Sequence, residues 1–567
     1  AIIVAGFLVM LALIMTRGGN GIGSKTSTDN KDKTLSEQVG VKKADFDACI
    51  AATDKTSLQA KISASVESAM KALKPEERGT PYGIVVGKNG SKAEIRGALS
   101  IEEIKSIDET SREVLEETGV KVFSQAALKI YEKAGCKVDF DKEIVKIPSK
   151  LIQKCIRTAP SEFKLYSRDK ESYLDFGKNL GYSASGHNAI YVLDTETMER
   201  KPSTKEEIGN FAKISDALDN IHVVGVQAMP QDVHPKVSIL HAVDAVVNNS
   251  TKHIFYSPEN VNETKATLEM LKIVNDGESL QKTPVGICQL SPISPLTWSK
   301  GTIEGVIEVA KAGLPLCFLP QPYCGVTSPI TLAGTLVSDN AESLSGMVLA
   351  QLVNEGTPII YGASWTTFEM NKGTVLIGTP ERCLLSVAGA QLAKYYNIPS
   401  HCIAFDTDSN IYDEQNGFEK IFNIIATLQS GINLIVNAGM FSTGMTVSYE
   451  QLVVDSEMAG FVYRYLKGIE VNKDTLSKEV INKVGQHESY MMEPQTMKYI
   501  KLGEHVRYKV SNRDVYDNWK AKGKPSITDN AIKLAREIIR DYKPKQLTKS
   551  KQEKLTEIIA KFETQYK

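Results

Sequence analysis

From Leu99 onward, short apolar runs alternate with segments whose apolar residues recur at helical spacing. The runs are HVVGVQ (222–227), HIFYS (253–257), PVGICQL (284–290), LPLCFLP (314–320), PIIYGAS (358–364), HCIAFD (401–406) and INLIVNAG (432–439). Their apolar character is continuous rather than alternating, the pattern of strands buried on both faces of a parallel sheet. Between them, 301–312, 339–355, 380–396 and 415–430 carry the period of helices packed on such a sheet. Thr379 followed by Pro380 marks one helix start, because a hydroxyl caps free N–H groups and proline suits the first turn. SASGHNAIYVLD (183–194) supplies an eighth strand, and eight βα units over about 180–470 predict a TIM (β/α)8 barrel. A doubly wound open sheet is the alternative, but no strand leads into a G-x-G-x-x-G helix start.

Ahead of the barrel, 98–180 is expected as a helical extension. Ser100 and Glu103 form a capping box before apolar positions Ile101, Ile104 and Ile107, and a second helix over 124–135 ends at Gly135. Residues 36–97 begin with a helical stretch and end in TPYGIVVGKNGSKAEIRGA, whose alternation around 87–90 predicts a β-hairpin. Residues 18–35 are polar and Gly-rich, as in a linker. The apolar segment at 1–17 reads as a signal-anchor remnant, shorter than the roughly 20 residues that cross a bilayer, and makes membrane association conceivable. The Lys-rich end, 546–567, reads as a solvated basic helix.

Charge and cysteine usage narrow the partners. Of 567 residues, 67 are Lys or Arg and 68 Asp or Glu, so no global field attracts nucleic acid. The eight cysteines include no C-x-x-C pair, the usage of a reduced cytoplasmic protein, and no spacing suggests a metal site. No H-E-x-x-H, G-x-S-x-G or P-loop spacing occurs, which argues against a zinc hydrolase, a lipase-type hydrolase and a P-loop NTPase.

Barrel chemistry sits where strands end, so candidate residues are sought there. Gln321 and Tyr323 follow the 314–320 run; Trp365, Phe368 and Glu369 follow 358–364; Phe405 and Asp406 close 401–406. Aromatic faces suit a quaternary ammonium ion, which offers no hydrogen-bond donor but is drawn to the ring quadrupole. Asp406 and Glu369 would balance its charge, and His187 in Ser-Gly-His-Asn joins the candidates; Asp413 reads better as a helix cap.

At these residues the chain resembles the trimethylamine methyltransferase family over about 99–545. The resemblance rests on LSIEEIKSIDETSREVLEETGVKVFSQAALKIYEKAGCKVD, GTPERCLLSVAGAQLAKYYNIPS (378–400), DEQNGFEK (413–420), NAGMFSTGMTVSYEQLVVDSEM (437–458) and LKGIEV (466–471). It implies a TIM-barrel enzyme passing a methyl group from an amine to a corrinoid (cobalamin) carried by a separate corrinoid protein, with homo-oligomerisation expected. Trimethylamine-specific members carry pyrrolysine where FDTDSN places Asp406, and Ser442 stands where an acid is expected; Glu369 and Met370 keep an acid–Met pair. The resemblance therefore implies a quaternary donor such as glycine betaine, proline betaine or carnitine. Such a donor loses a neutral tertiary amine without a general acid, whereas a tertiary amine needs activation before it can leave. Asp406 and Glu369 are the expected charged residues of catalysis, and Trp365, Tyr323, Phe368, Phe405, His187 and Gln321 the expected substrate contacts. The alternative is a non-catalytic quaternary-amine binding protein on the same barrel. Residues 36–97 are similar to the C-terminal half of a DsbA-type thioredoxin-fold protein, with Gly79-Thr80-Pro81 in the cis-proline loop. Its C-x-x-C is missing, so no oxidoreductase activity is expected, and a fusion of unrelated pieces best reconciles the two parts.

Overall fold

The computed structural model describes residues 98–178 and 181–566, together with two strands, Ile84–Val86 and Lys92–Glu94. The chain forms two compact units that divide after Gly97. In the first, the two strands pair antiparallel with Val86 opposite Lys92, the expected hairpin. The anchor, the linker and the remainder of the thioredoxin-like segment lie outside the described residues. Among the described residues no helix is long and apolar enough to cross a membrane.

The second unit is a closed barrel of eight parallel strands. They are β1 (Tyr182–Ser185), β2 (Val223–Gly225), β3 (His253–Tyr256), β4 (Gly286–Gln289), β5 (Leu316–Phe318), β6 (Ile359–Gly362), β7 (Ser400–Ile403) and β8 (Leu434–Ala438). Each is followed by a helix: α1 (Lys205–Ala217), α2 (Ser238–Asn249), α3 (Val261–Val274), α4 (Lys300–Ala312), α5 (Leu332–Val353), α6 (Pro380–Tyr395), α7 (Glu414–Gln429) and α8 (Tyr449–Lys467). Six of the seven apolar runs contain a barrel strand whole, and the run 401–406 holds all of β7 but Ser400. The eighth candidate overlaps a strand only at its start: after Ser185 the chain turns outward, Asn188 adopts a left-handed φ of 60°, and Tyr191–Leu193 joins a separate sheet.

Continuous apolar strands are required because two cores meet at the barrel wall. Ala184, Val223, Phe255, Ile287, Cys317, Ile360, Ile403 and Leu434 fill the interior, while neighbouring strand residues pack outward against the helices. A hairpin of Phe163–Tyr166 and Tyr173–Phe176 adds Leu165 and Phe176 to the interior core. Tyr166 N–H donates to Pro284 O at 2.7 Å, just before β4, so this plug closes the N-terminal end. The opposite end is left for function.

Gly362 lets β6 approach β5: a Cβ there would overlap the Phe318 carbonyl oxygen, which is backbone and cannot swing away. Gly362→Ala is expected to cost about 1–3 kcal/mol, as overpacking does. Urea unfolding monitored by circular dichroism would read this as a lower midpoint, and an unchanged midpoint would refute the close approach.

Two expectations are corrected. The 98–180 extension is helical only in part. Ile101–Glu117, Gln125–Lys133 and Ser149–Thr158 surround a four-stranded sheet of Val120–Val122, Lys137–Asp139, Ile144–Lys146 and Thr297–Trp298, the last contributed from beyond β4. The C-terminal helix Lys549–Glu563 is not fully solvated either. Leu555, Ile559 and Phe562 recur on one face and are buried, leaving lysines outside, and His241 Nε2 lies 3.0 Å from Glu563 Oε1.

Candidate active site

A polar chain crosses the C-terminal mouth of the barrel, drawing one residue from each of four strand ends. Asp406, buried just past β7, accepts from Asn437 Nδ2 of β8 at 2.7 Å through Oδ2. Asn437 Oδ1 lies 3.2 Å from His187 Nδ1, after β1, and His187 Nε2 lies 3.3 Å from Gln289 Nε2, at the end of β4. An amide nitrogen only donates, so His187 Nε2 accepts and Nδ1 carries the proton toward Asn437. The imidazole is thus neutral, and burial lowers its pKa to about 4. The Phe255 ring meets His187 edge-on at 5.0 Å and lies tilted against His401 at 5.6 Å.

Backbone strain concentrates here. Asn437 has φ 80°, and Ser442, Thr443 and Gly444 follow with φ of 53°, 55° and 78°. Non-glycine residues hold such angles only where surrounding contacts enforce them. Ser442 N–H donates to Ser409 O at 2.9 Å and Thr443 N–H to Thr407 O at 3.0 Å, binding the loops after β7 and β8 together. At Gly444 even a Cβ would come within 3.5 Å of Asp406 Oδ2.

Beneath that loop lies a fully buried ion pair. Lys420 Nζ of α7 donates to Asp455 Oδ2 of α8 at 2.8 Å and to Met440 O at 2.6 Å. Asp455 also accepts from Gly439 N–H at 2.7 Å and from Gln451 Nε2 at 2.8 Å. Burial draws the lysine pKa down and the carboxyl pKa up, and each charge opposes the other's shift. The pair therefore pins the chain as it leaves β8.

Asp406 Oδ1 is buried and has no hydrogen-bond partner among the described residues. Burial pushes its pKa up to about 6, against the opposing effects of the Asn437 amide, Lys420 and Arg382. The carboxyl is consequently ionised at neutral pH and protonated in mild acid. Affinity for a small cation is expected to fall as pH drops through about 6, by about tenfold per unit well below it. Titrating tetramethylammonium binding from pH 8 to 5 checks this; a flat profile, or the same slope in Asp406→Asn, contradicts it. The sign for folding is opposite. A raised carboxyl pKa favours the folded state at low pH, and that stabilisation is lost as pH rises through about 6.

The other expected site residues separate into groups. Tyr323 and Phe368, on the loops after β5 and β6, stack with centroids 6.4 Å apart and planes 15° from parallel, both partly exposed. Trp365 and Phe405 are fully buried in the core shared with the helices, and the Trp365 ring edge lies against Gly389 of α6. Glu369 sits on a short hairpin, where Oε1 accepts from Asn371 N–H at 3.1 Å. Gln321 is exposed on the loop after β5. Asp413 caps α7 as expected, accepting from Asn416 N–H. Asp408 accepts from Ile377 N–H at 2.8 Å and Gly378 N–H at 2.9 Å, so its charge is used to hold a loop.

Sequence reasoning passed over Asn437, Gln289, His401 and Arg382. The first three carried a usable signal, a polar residue within an apolar strand run. Around the mouth, Val326, Ile330, Met370, Ile411 and Met445 expose apolar side chains on the loops after β5, β6, β7 and β8.

The family model described as Trimethylamine methyltransferase (MTTB) matches residues 87–566. The chain belongs to the trimethylamine methyltransferase family. It is 36% identical over 469 residues to "Trimethylamine methyltransferase MttB" of Desulfitobacterium hafniense, covering 82% of this chain and 94% of the relative. It is 30% identical over 465 residues to "Glycine betaine methyltransferase" of the same species, covering 82% and 96%. The Methanosarcina barkeri monomethylamine methyltransferase structure aligns at 13% identity with a TM-score of 0.44, over 84% of this chain and 93% of that one. This family member is thus a methyltransferase barrel whose polar mouth centres on Asp406.

Proposed function

We propose that this chain removes a methyl group from a quaternary ammonium compound and delivers it to a corrinoid held by a separate protein docked over the barrel mouth. The observation that carries this reading is Asp406. A buried carboxylate with a free oxygen, ionised at neutral pH, stands where the family resemblance would otherwise place pyrrolysine. One similar relative bears the name glycine betaine methyltransferase. The exposed apolar rim formed by Val326, Ile330, Met370, Ile411 and Met445 suits the docking of a partner protein over the mouth.

A docked corrinoid would supply the electron pair that accepts the methyl group. As the C–N bond breaks, its electrons return to nitrogen, a neutral tertiary amine leaves, and no proton is transferred. The residues of this chain accordingly position the donor. Asp406 attracts the ammonium charge, and Asn437 and His187 hold Asp406 in orientation. Tyr323 and Phe368 offer ring faces to the N-methyl groups. Because positive charge leaves nitrogen in the transition state, Asp406 stabilises the bound donor more than the transition state and acts on KM.

Incubating the full chain anaerobically with cob(I)alamin and glycine betaine, tetramethylammonium or trimethylamine tests the reading. Mass spectrometry should find the tertiary amine formed from a quaternary donor. Demethylation of trimethylamine alone would overturn it.

A further inference from the structure

The chain that leaves α8 has no core of its own. Between Gly468 and Lys509 only Val484 is buried, although the segment forms the helices Lys478–Val484 and Pro494–Lys501. Polar contacts shape this arm. Lys498 Nζ lies 2.5 Å from Asp474 Oδ2, Tyr499 O–H donates to the same oxygen at 2.8 Å, and Lys483 pairs with Glu493 at 2.8 Å. Both ends are tied to α8: Arg464 Nε donates to Glu504 O at 2.9 Å, and Glu457 accepts from the N–H groups of Lys509, Val510 and Ser511.

Short helices gain little from propensity and are held by packing an apolar face. Here the apolar side chains face water. Ten large ones between 469 and 502 are exposed; Ile469 is 84% and Met492 87% exposed, and Leu476, Ile481, Met491 and Leu502 are all at half or more. Together they leave on the order of 1,000 Å² in water, beyond the ~300–600 Å² patch of a typical monomer and the ~800 Å² that one partner gives to a stable interface. The Asp474–Lys498 and Lys483–Glu493 pairs fold the arm back on itself, so these side chains are gathered rather than strung out.

We infer that this arm is the contact through which two copies of the chain pair, each setting its arm against the other's. A two-fold contact brings a patch against itself, so a patch of one sign would repel its copy. Residues 469–502 hold five lysines and five carboxylates, which balance. Position also favours a second copy over a corrinoid protein seated at the mouth. Helix α8 starts at the mouth and runs back, so the arm beyond Lys467 belongs to the end that the Phe163–Tyr166 hairpin closes. Asp219, just past α1 at that same end, lies 3.2 Å from Lys509 Nζ. Two copies joined there keep both mouths free. The inference goes beyond the methyl-transfer reading and does not depend on it.

Sedimentation of the full chain at micromolar concentration tests the pairing. Wild type should run as two copies, or an even multiple of two. Ile469→Asp combined with Met492→Asp should weaken the pairing at least about 100-fold and halve the sedimenting mass, because the contact would then bury four unpaired carboxylates. Both side chains are exposed in the single copy, so the variant should keep the wild-type circular dichroism. Ile411→Asp, on the rim of the mouth, should leave the mass unchanged. Hydrogen exchange in 469–502 should quicken when wild type is diluted until it dissociates. A monomeric wild type, a pairing that survives the double substitution, or one broken by Ile411→Asp instead would overturn the inference. So would an arm equally protected in the dissociated chain, since another part of the same chain would then cover it.

Discussion

Asp406→Asn is expected to raise KM for a quaternary methyl donor by about 10- to 100-fold while leaving kcat within about fivefold. The asparagine side chain matches the carboxylate in shape and can still accept from Asn437 Nδ2, so the strained loop over it keeps its support. What disappears is a buried negative charge facing the ammonium, and a charge-assisted contact of this kind contributes about 1.5–3 kcal/mol. At about 1.4 kcal/mol per decade, that is the stated range. The effect falls on KM because the donor nitrogen is fully charged when bound and loses that charge as the methyl group leaves. Asp406→Ala should behave differently. It also strips Asn437, whose φ is 80°, of its acceptor, so kcat should drop as well. Steady-state kinetics on both variants separates charge from positioning. A kcat loss without a KM change in Asp406→Asn would make Asp406 part of the chemical step and refute a purely positioning role.

Lys420→Met should destabilise the second unit by about 3–5 kcal/mol, the cost of leaving one half of a buried ion pair uncompensated. Both side chains are fully buried, and the ammonium also satisfies the Met440 carbonyl. Removing Asp455 at the same time, as Lys420→Met with Asp455→Leu, should recover part of that loss. Recovery is incomplete because Gly439 N–H and Met440 O lose their partners. Denaturant unfolding of the two variants reads the difference directly. A single variant as stable as wild type would mean that the pair does not hold the exit of β8. Since that exit carries Asn437 and the loop over Asp406, ligand affinity should fall in parallel.

The barrel was legible because its strands are buried on two sides and so carry runs without alternation; HIFYS and PIIYGAS each contain their strand, and HCIAFD all of its strand but Ser400. The caps were equally local: Ser100 and Glu103 form the reciprocal box, and Thr379 accepts from Arg382 N–H. The small sheet in the extension escaped because its strands are three residues or shorter and one of them, Thr297–Trp298, arrives from far along the chain. Within the site, aromatic residues are ambiguous in sequence, since rings suit a core as well as a cation. Trp365 sits among polar neighbours, yet Gly389 of α6 opens the space that its ring edge occupies, a pairing visible only after folding. Asp406 was legible as the acidic end of a strand run. Of its partners only His187 was marked in the sequence; the chain through Asn437 and Gln289 was not, because it assembles across three other strand ends.

The most direct measurement follows the methyl group itself. Glycine betaine labelled with carbon-13 in its N-methyl groups and unlabelled trimethylamine would be offered together to the full chain and cob(I)alamin, without oxygen, and both amines assayed by mass spectrometry. The account predicts that the betaine loses one labelled methyl, yielding a tertiary amine in step with the loss of cob(I)alamin absorbance, while trimethylamine is untouched. Loss of a methyl from trimethylamine with the betaine intact would contradict it.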